Sequence, residues 1–274
     1  MNNENYKMVL LNLILYSKNN ILNLNWNNKY INKKNFNIFI NFYEKFLYFN
    51  NYDSKIYDKF IHFLKFHRSL LTLYYKKKYF AILNFPCLYN YKYHLIKINY
   101  DSYFSITNSH DANNTSRYIY KIFNTKNITI TDATANIGGN AVSFCLNKFK
   151  FINVVEINKT CSEYLLNNLK CYNVNNYNIY NEDYINIYKD LKQDVIFLDP
   201  PWGGSNYKLE KEIDLYLSKI NIIDIIYELF SINKIKLAVI KVPFNYNKKY
   251  MNDKLDEYHI TIHKFRKYEV IYIN

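Results

Sequence analysis

The chain has 274 residues, 49% of them hydrophobic, enough for one large domain or a domain with an appendage. Its four cysteines (Cys87, Cys145, Cys161, Cys171) show no CxxC spacing, and no apolar run reaches bilayer length; these features argue against a disulfide scaffold, a zinc site and a membrane span. The formal charge of +13 is uneven: residues 1–100 carry 15 Lys and Arg against 4 Asp and Glu, and the remainder is nearly balanced.

A basic lobe beside a neutral one suits a polyanionic partner, although a Lys-rich composition also serves solubility. Asn, Ile, Lys and Tyr crowd the sequence. They are the residues of AT-rich codons, so their abundance reads as genome bias before chemistry. The N-terminal "MVLLNLILY" is short and lacks a small-residue cleavage site, so it is not read as a signal peptide. A soluble intracellular protein, nuclear or cytoplasmic, is the expectation.

In chain order, residues 35–49 and 54–75 read as helices with aromatic faces. "KYFAILNF" (78–85) and "YHLIKINY" (93–100) alternate enough to be strands on either side of Pro86. This sets a first, basic and mainly helical region at 1–100 and a second at 101–274. From residue 128 the pattern becomes strand and helix in turn. "ITITDA" (128–133) is a strand and "GGNAVSFCLNKF" (138–149) a helix. "FINVVEIN" (151–158) and "KTCSEYLLNNLKCY" (159–172) repeat the pair. "YNIYNED" (177–183), "YINIYKDL" (184–191), "DVIFLDPPW" (194–202), "LSKINIIDIIYELFS" (217–231) and "IKLAVIKVP" (235–243) continue it. "YHITIHKF" and "YEVIYIN" close as a hairpin. The predicted fold is α/β: a Rossmann-like, seven-stranded, mostly parallel sheet with a C-terminal β-hairpin, plus the basic N-terminal lobe.

All four glycines fall in two pairs, Gly138-Gly139 and Gly203-Gly204, each just past a predicted parallel strand. Open α/β sheets bind ligands at that edge. The first pair ends "TDATANIGGN" (131–140), where Asp132 closes strand one and small residues, Thr134 among them, line the turn. With two glycines this is not the dinucleotide GxGxxG fingerprint. An acid at this position attracts an ammonium and repels phosphate, which suits S-adenosylmethionine. Glu156 ends strand two, placed to accept from ribose hydroxyls, and Asp183 ends strand three, placed to meet an adenine amine. One such acid reads as a solvated loop residue; three at successive strand ends read as a cofactor site.

"DPPW" (199–202) ends strand four. Proline fixes φ and removes N–H donors, so the loop is stiff. Asp199 and the Pro200 carbonyl become acceptors for an exocyclic amine, and Trp202 offers a flat π face to its ring. Over a cationic base such as 7-methylguanine, that face adds about 0.5–2 kcal/mol of cation–π attraction.

"DATANIGGN", "FLDPPWGGSNY" and "YFSIT" (103–107) together resemble the trimethylguanosine synthases, the RNA cap guanine-N2 methyltransferases, over roughly residues 95–245. The resemblance implies that Thr107, Asp132, Thr134, Gly138, Asn140, Glu156 and Asp183 hold S-adenosylmethionine. It implies that Trp202 stacks on 7-methylguanine while Asp199 and Pro200 face its N2 amine. Pro201, Asn206, Lys241 and Asn245 are further candidate contacts to a capped RNA, and no metal is implied. The basic lobe, with Lys33, Lys34, Lys76, Lys77 and Lys78, would cover the cap. Two departures stand out. Thr107 is followed by "NSHDANNTS", read as a longer polar loop, and Pro243-Phe244-Asn245 lacks the family's arginine, moving phosphate contact to Lys241 or Lys248. An adenine-N6 methyltransferase also uses such a loop, and a non-catalytic RNA-binding subunit would keep the fold but turn over no cofactor. His259 and His263, on the hairpin, read as surface residues.

Overall fold

The computed structural model describes residues 80–82, 84–88, 93–99 and 101–274. The chain divides into two units, Met1–Tyr75 and Lys76–Asn274. The first unit, the helices predicted over 35–49 and 54–75, and Lys33, Lys34, Lys76, Lys77 and Lys78 lie outside the described residues.

Nine strands form, seven of them in one sheet, among the described residues: β1 (Thr129–Asp132), β2 (Phe151–Val155), β3 (Tyr177–Tyr180), β4 (Val195–Leu198), β7 (Leu237–Val242), β8 (Ile260–Lys264) and β9 (Glu269–Ile273). Their order is β3-β2-β1-β4-β7-β9-β8; the first five run parallel, β9 pairs antiparallel with β7, and β8 at the edge pairs antiparallel with β9. This is the Rossmann-like methyltransferase sheet with its terminal hairpin. The remaining pair, β5 (Tyr216–Leu217) and β6 (Ile220–Asn221), is a small hairpin apart from the sheet.

The helices are α1 (Ser102–Ser105), α2 (Ser109–Phe123), α3 (Gly139–Leu146), α4 (Lys159–Cys171), α5 (Tyr184–Ile187), α6 (Ile222–Ser231) and α7 (Lys248–Lys254). Strand alternation sorts the core into two layers. Val195 and Phe197, Leu237 and Val239, and Val270 and Tyr272 point to the layer under α2, α3 and α4. Ile196 and Leu198, Ala238 and Ile240, and Ile271 and Ile273 point to the layer under α5, α6 and α7. Both faces are buried, so β4 and β9 read as unbroken apolar runs.

Four local expectations change. Residues 80–82 and 84 are helical rather than extended, with Phe85 N–H donating to Ala81 O at 2.9 Å. Ala81 and Phe85, buried four residues apart, give a helical spacing hidden under the apparent alternation, and Leu88 is buried beyond the helix end. Residues 93–99 are not a strand either: Tyr93–Leu95 is a 3-10 turn, with Ile96 N–H donating to Tyr93 O at 3.2 Å, and side chains supply the other backbone partners. Asn168 accepts from Lys97 N–H at 2.8 Å and donates to Lys97 O at 3.0 Å, while Asn167 donates to Leu95 O at 2.8 Å. These segments pack into the core of the second unit. "NSHDANNTS" is the opening of α2, a 15-residue helix rather than a loop. Asn108 caps it by accepting from Asp111 N–H at 3.0 Å, and Ala112, Thr115, Ser116 and Ile119 supply a buried stripe of mostly small residues. The helix predicted over 217–231 begins only at Ile222, because Asn221 caps it and the preceding residues turn back as β5–β6.

The first glycine pair ties two segments together. Gly138 sits at φ +99°, and a Cβ on Gly139 would lie 2.7 Å from Ile106 Cγ1 and 2.9 Å from the Thr107 carbonyl oxygen. Only a bare backbone lets "FSIT" lie against the start of α3. Gly139→Ala is therefore expected to destabilise the fold by about 1–3 kcal/mol, the range for overpacking. Denaturant unfolding reads this directly, and a wild-type midpoint would show that Ile106–Thr107 does not press on α3.

Candidate functional site

The five parallel strands end on one edge. Asp132 closes β1, Glu156 follows β2, Asp183 lies beyond β3, and Asp199 follows β4. Strand order reverses between β1 and β4, the point where open α/β sheets form a ligand crevice. Thr134 bridges that point by accepting from the Asp199 N–H at 2.7 Å, so its hydroxyl serves the scaffold of the crevice.

Asp132 is 1% exposed, and neither carboxylate oxygen makes a hydrogen bond. Burial, and next the Asp199 carboxylate, push its pKa up to about 8; the amides of Thr134 and Ala141 offset part of this without reaching hydrogen-bond geometry. Asn140, also buried, donates to Thr107 Oγ1 at 3.0 Å and leaves its own Oδ1 unpartnered. Two carboxylate oxygens and an amide oxygen, all buried and lacking donors, match the three N–H donors of an ammonium. These residues therefore fit the amino-acid end of S-adenosylmethionine.

Glu156 is held by its neighbours. Its Oε2 accepts from Asn136 N–H at 2.7 Å and its Oε1 from Asn158 N–H at 2.8 Å, while burial raises its pKa. The clamp fixes the carboxylate plane and leaves lone pairs for hydroxyl donors. Asp183 is more committed than the sequence reading implied. Oδ1 caps α5 by accepting from Ile185 N–H at 3.0 Å, and Oδ2 accepts from the Ser218 hydroxyl of the β5–β6 turn. Its carboxylate thus has a structural task at the position proposed for an adenine contact.

The acceptor loop rests on a buried lysine. Lys241, on β7 and 4% exposed, pairs with Asp199 Oδ2 at 2.6 Å. Its ammonium also donates to Thr107 Oγ1 at 3.0 Å and to Ser105 O at 3.3 Å. It lies 4.8 Å from the Tyr268 ring centroid and 5.6 Å from that of Trp202. The sequence reading offered Lys241 for a phosphate; the structure turns it inward, where its own buried ammonium needs the Asp199 carboxylate as counter-charge. Burial raises the Asp199 pKa, and the Lys241 ammonium pulls it back down. Lys248, the other candidate, pairs with Glu269 at 2.5 Å.

Trp202 is half-buried and packs against both core layers at the sheet edge. Its ring meets Tyr207 at 5.3 Å and 82°, and its Nε1 is buried without an acceptor. The indole is therefore partly a wedge between the layers as well as a surface at the crevice. Pro200 is buried and Pro201 exposed. Gly203 and Gly204 both take positive φ, with open space about them, and turn the chain into a short 3-10 helix (Gly204–Leu209) that carries exposed Asn206. Asn245 holds that helix, donating to Tyr207 O at 2.8 Å and Glu210 O at 2.9 Å. It shapes the loop through these bonds.

Three contributors escaped the sequence reading. Asn136, at φ +50°, links Glu156 to Ser105 and Ser102 of α1. Tyr268 lies under Lys241 and donates to Asp111 Oδ2 at 2.7 Å, which anchors the hairpin to α2. Ser105 supplies its carbonyl to Lys241. Asn136, inside "DATANIGGN", was the one with a local signal, a left-handed Asn in a turn; the other two act only through tertiary contact. Among the described residues, no group of three His, Cys, Asp or Glu could hold a metal, and no helix is long and apolar enough to cross a membrane.

The family model described as RNA cap guanine-N2 methyltransferase matches residues 127–274. An uncharacterized protein of Acanthamoeba polyphaga mimivirus is 36% identical over 143 residues, 51% of this chain and 55% of that one. The chain thus spans about half the length of the curated relative it matches. Similar solved structures include the 16S rRNA N2 G1207 methyltransferase of T. thermophilus in complex with AdoMet and guanosine (TM-score 0.47, 11% identity, 65% of this chain and 43% of that one). Another is the ribosomal protein L11 methylase of Lactobacillus delbrueckii subsp. bulgaricus (TM-score 0.43, 13% identity, 60% and 79%).

The elevated pKa of Asp132 makes a stability prediction. Its folded pKa of about 8 exceeds the ordinary 3.8, so its protonated form favours the native state. That contribution is complete below about pH 4 and is lost as pH rises toward 8. Asp132→Asn lacks the titration. The ligand-free variant is expected to melt higher than wild type, by a margin that widens from pH 5 to pH 8. A margin independent of pH would contradict the assignment.

Proposed function

The chain belongs to the RNA cap guanine-N2 methyltransferase family, and from that premise we propose that it transfers a methyl group to the exocyclic N2 amine of 7-methylguanosine in an RNA 5′ cap. The observation that carries this reading is the Asp199–Trp202 corner, braced by Lys241, facing the unpaired carboxylate of Asp132 across the strand-order reversal.

S-adenosylmethionine, when bound, supplies an electrophilic sulfonium methyl. Asp132 and Asn140 would hold its ammonium and Glu156 its ribose. Thr107, with its hydroxyl between Asn140 and Lys241, positions both halves of the site. The N2 amine is a weak nucleophile, since its lone pair is delocalised into the ring. Orientation and exclusion of water therefore carry most of the rate. With Oδ2 fixed by Lys241, Asp199 has Oδ1 free to accept from the amine beside the Pro200 carbonyl, and it takes the proton the amine sheds. Burial raises the pKa of Asp199 and Lys241 offsets part of the rise, which makes the carboxylate a stronger base than a solvated one.

Charge favours a methylated base. Lys241 and Asp199 cancel each other; Asp132, protonated in the empty crevice below about pH 8, ionises against the ammonium of the donor, and Glu156 has no cationic partner among the described residues. Such a site attracts two cations, the donor and a 7-methylguanine ring, and Trp202 adds a π face. Neutral guanine gains neither attraction.

Incubation with labelled S-adenosylmethionine and, separately, 7-methyl-GTP, GTP or uncapped adenine-containing RNA tests the reading. Label is expected on 7-methyl-GTP alone. Equal labelling of GTP would remove the charge argument, and labelling of adenine would point to an adenine-N6 enzyme. Cofactor binding without transfer to any acceptor would point to a non-catalytic subunit. Trp202→Ala is expected to cut transfer at least 100-fold, the size of a loss in substrate positioning, with cofactor affinity little changed.

A further inference from the structure

Outside the strand-end crevice, α2 and the outer hairpin enclose an open groove of about 550 Å³. Its wall is Arg117 and Lys121 on α2, Lys264 of the edge strand β8 stands at its rim, and its floor is Tyr118, His263 and Phe265. Arg117 and Lys121 stand four residues apart, so both lie on one helix face, with half-buried Tyr118 on the side turned toward the hairpin. All three cations are exposed, and among the described residues none is paired with a carboxylate. Arg266 and Lys267, exposed in the hairpin turn, add charge of the same sign.

The floor is aromatic. Tyr118 and His263 meet at 4.0 Å between centroids, and Lys121 lies 5.7 Å from the Tyr118 ring. Burial, then the Lys121 ammonium, lower the His263 pKa, so this ring is a neutral face at neutral pH. Cations alternating with flat rings suit a single-stranded nucleic acid, whose phosphates take the first and whose bases take the second.

A row of aromatic rings, running through buried Tyr268, links the groove floor to the acceptor corner. Phe265 stacks on Tyr268 at 5.3 Å and 22°, and Tyr268 stands 6.4 Å from Trp202. We propose that this groove holds the single-stranded RNA chain that follows the cap, with its phosphates on Arg117, Lys121 and Lys264 and its bases against Phe265 and Tyr118. The chain's relation to a cap rests on the function proposed above; its affinity for RNA does not.

The test is the affinity of the full chain for an uncapped 20-nucleotide single-stranded RNA, by fluorescence anisotropy across a salt series. Wild type is compared with the triple variant Arg117→Glu, Lys121→Glu, Lys264→Glu, with thermal melting and S-adenosylmethionine binding as checks on its fold. Each lost phosphate contact flattens the slope of log affinity against log salt by about 0.7. The variant is expected to lose at least tenfold in affinity and about two units of slope. Wild-type affinity and slope in a folded variant would overturn the groove. So would an equal loss in a control triple variant on the opposite face, Lys189→Glu, Lys234→Glu, Lys236→Glu. Absence of methyl transfer to 7-methyl-GTP by wild type would sink the cap reading alone, since this binding measurement is independent of turnover.

Discussion

The ion pair between Lys241 and Asp199 is the constraint on which the acceptor half of the site depends. A charge as buried as that of Lys241 is costly unless paired and hydrogen-bonded, and removing one partner of such a pair typically costs about 3–5 kcal/mol. Lys241 meets the requirement with a carboxylate, a hydroxyl, a carbonyl and two aromatic rings. Those partners come from the end of β4, the "FSIT" segment, the Trp202 loop and the C-terminal hairpin. One ammonium on β7 thus draws three other stretches of chain, 105–107, 199–202 and the hairpin turn at Tyr268, to the same point. The stiffness expected of the two prolines is only half of the loop's rigidity; the rest comes from β7 beneath it.

The donor half works by the opposite device. Asp132 is buried without a partner, and its raised pKa expresses what the fold gives up to keep it there. Glu156, clamped by two backbone amides, sits next along the edge. One half of the crevice is therefore internally neutralised and the other is left acidic. That asymmetry is a physical basis for selecting a cationic donor and a cationic base together. It also explains the placement of the glycines. Gly139 lets Thr107 approach α3, and Thr107 is the hydroxyl shared between Asn140 on the donor side and Lys241 on the acceptor side.

The sheet was legible because β4, β7 and β9 are mostly apolar on both faces and the first five strands alternate with helices. Two glycine pairs in a glycine-poor chain marked the functional edge. What escaped was carried by asparagine side chains and by contacts distant in sequence. Asn167 and Asn168 satisfy the backbone of residues 95–97, so an alternating segment never pairs as a strand. Asn108 starts a helix in what looks like a polar loop. In a composition this rich in asparagine, a capping or bridging Asn is indistinguishable from its neighbours. The inward turn of Lys241 was hidden for a related reason. A lysine in "AVIKVP" reads as a solvent-facing break in an apolar strand, and only β4 beside β7 reveals the carboxylate waiting for it.

A double-mutant cycle on the unfolding free energy of Asp199→Asn, Lys241→Met and their combination tests this most directly. If the pair braces the acceptor corner, each single change is costly because it strands the other charge, and the combination falls short of the sum by about 2 kcal/mol or more. Losses that simply add would mean that Lys241 and Asp199 act independently, and the corner would have no common anchor.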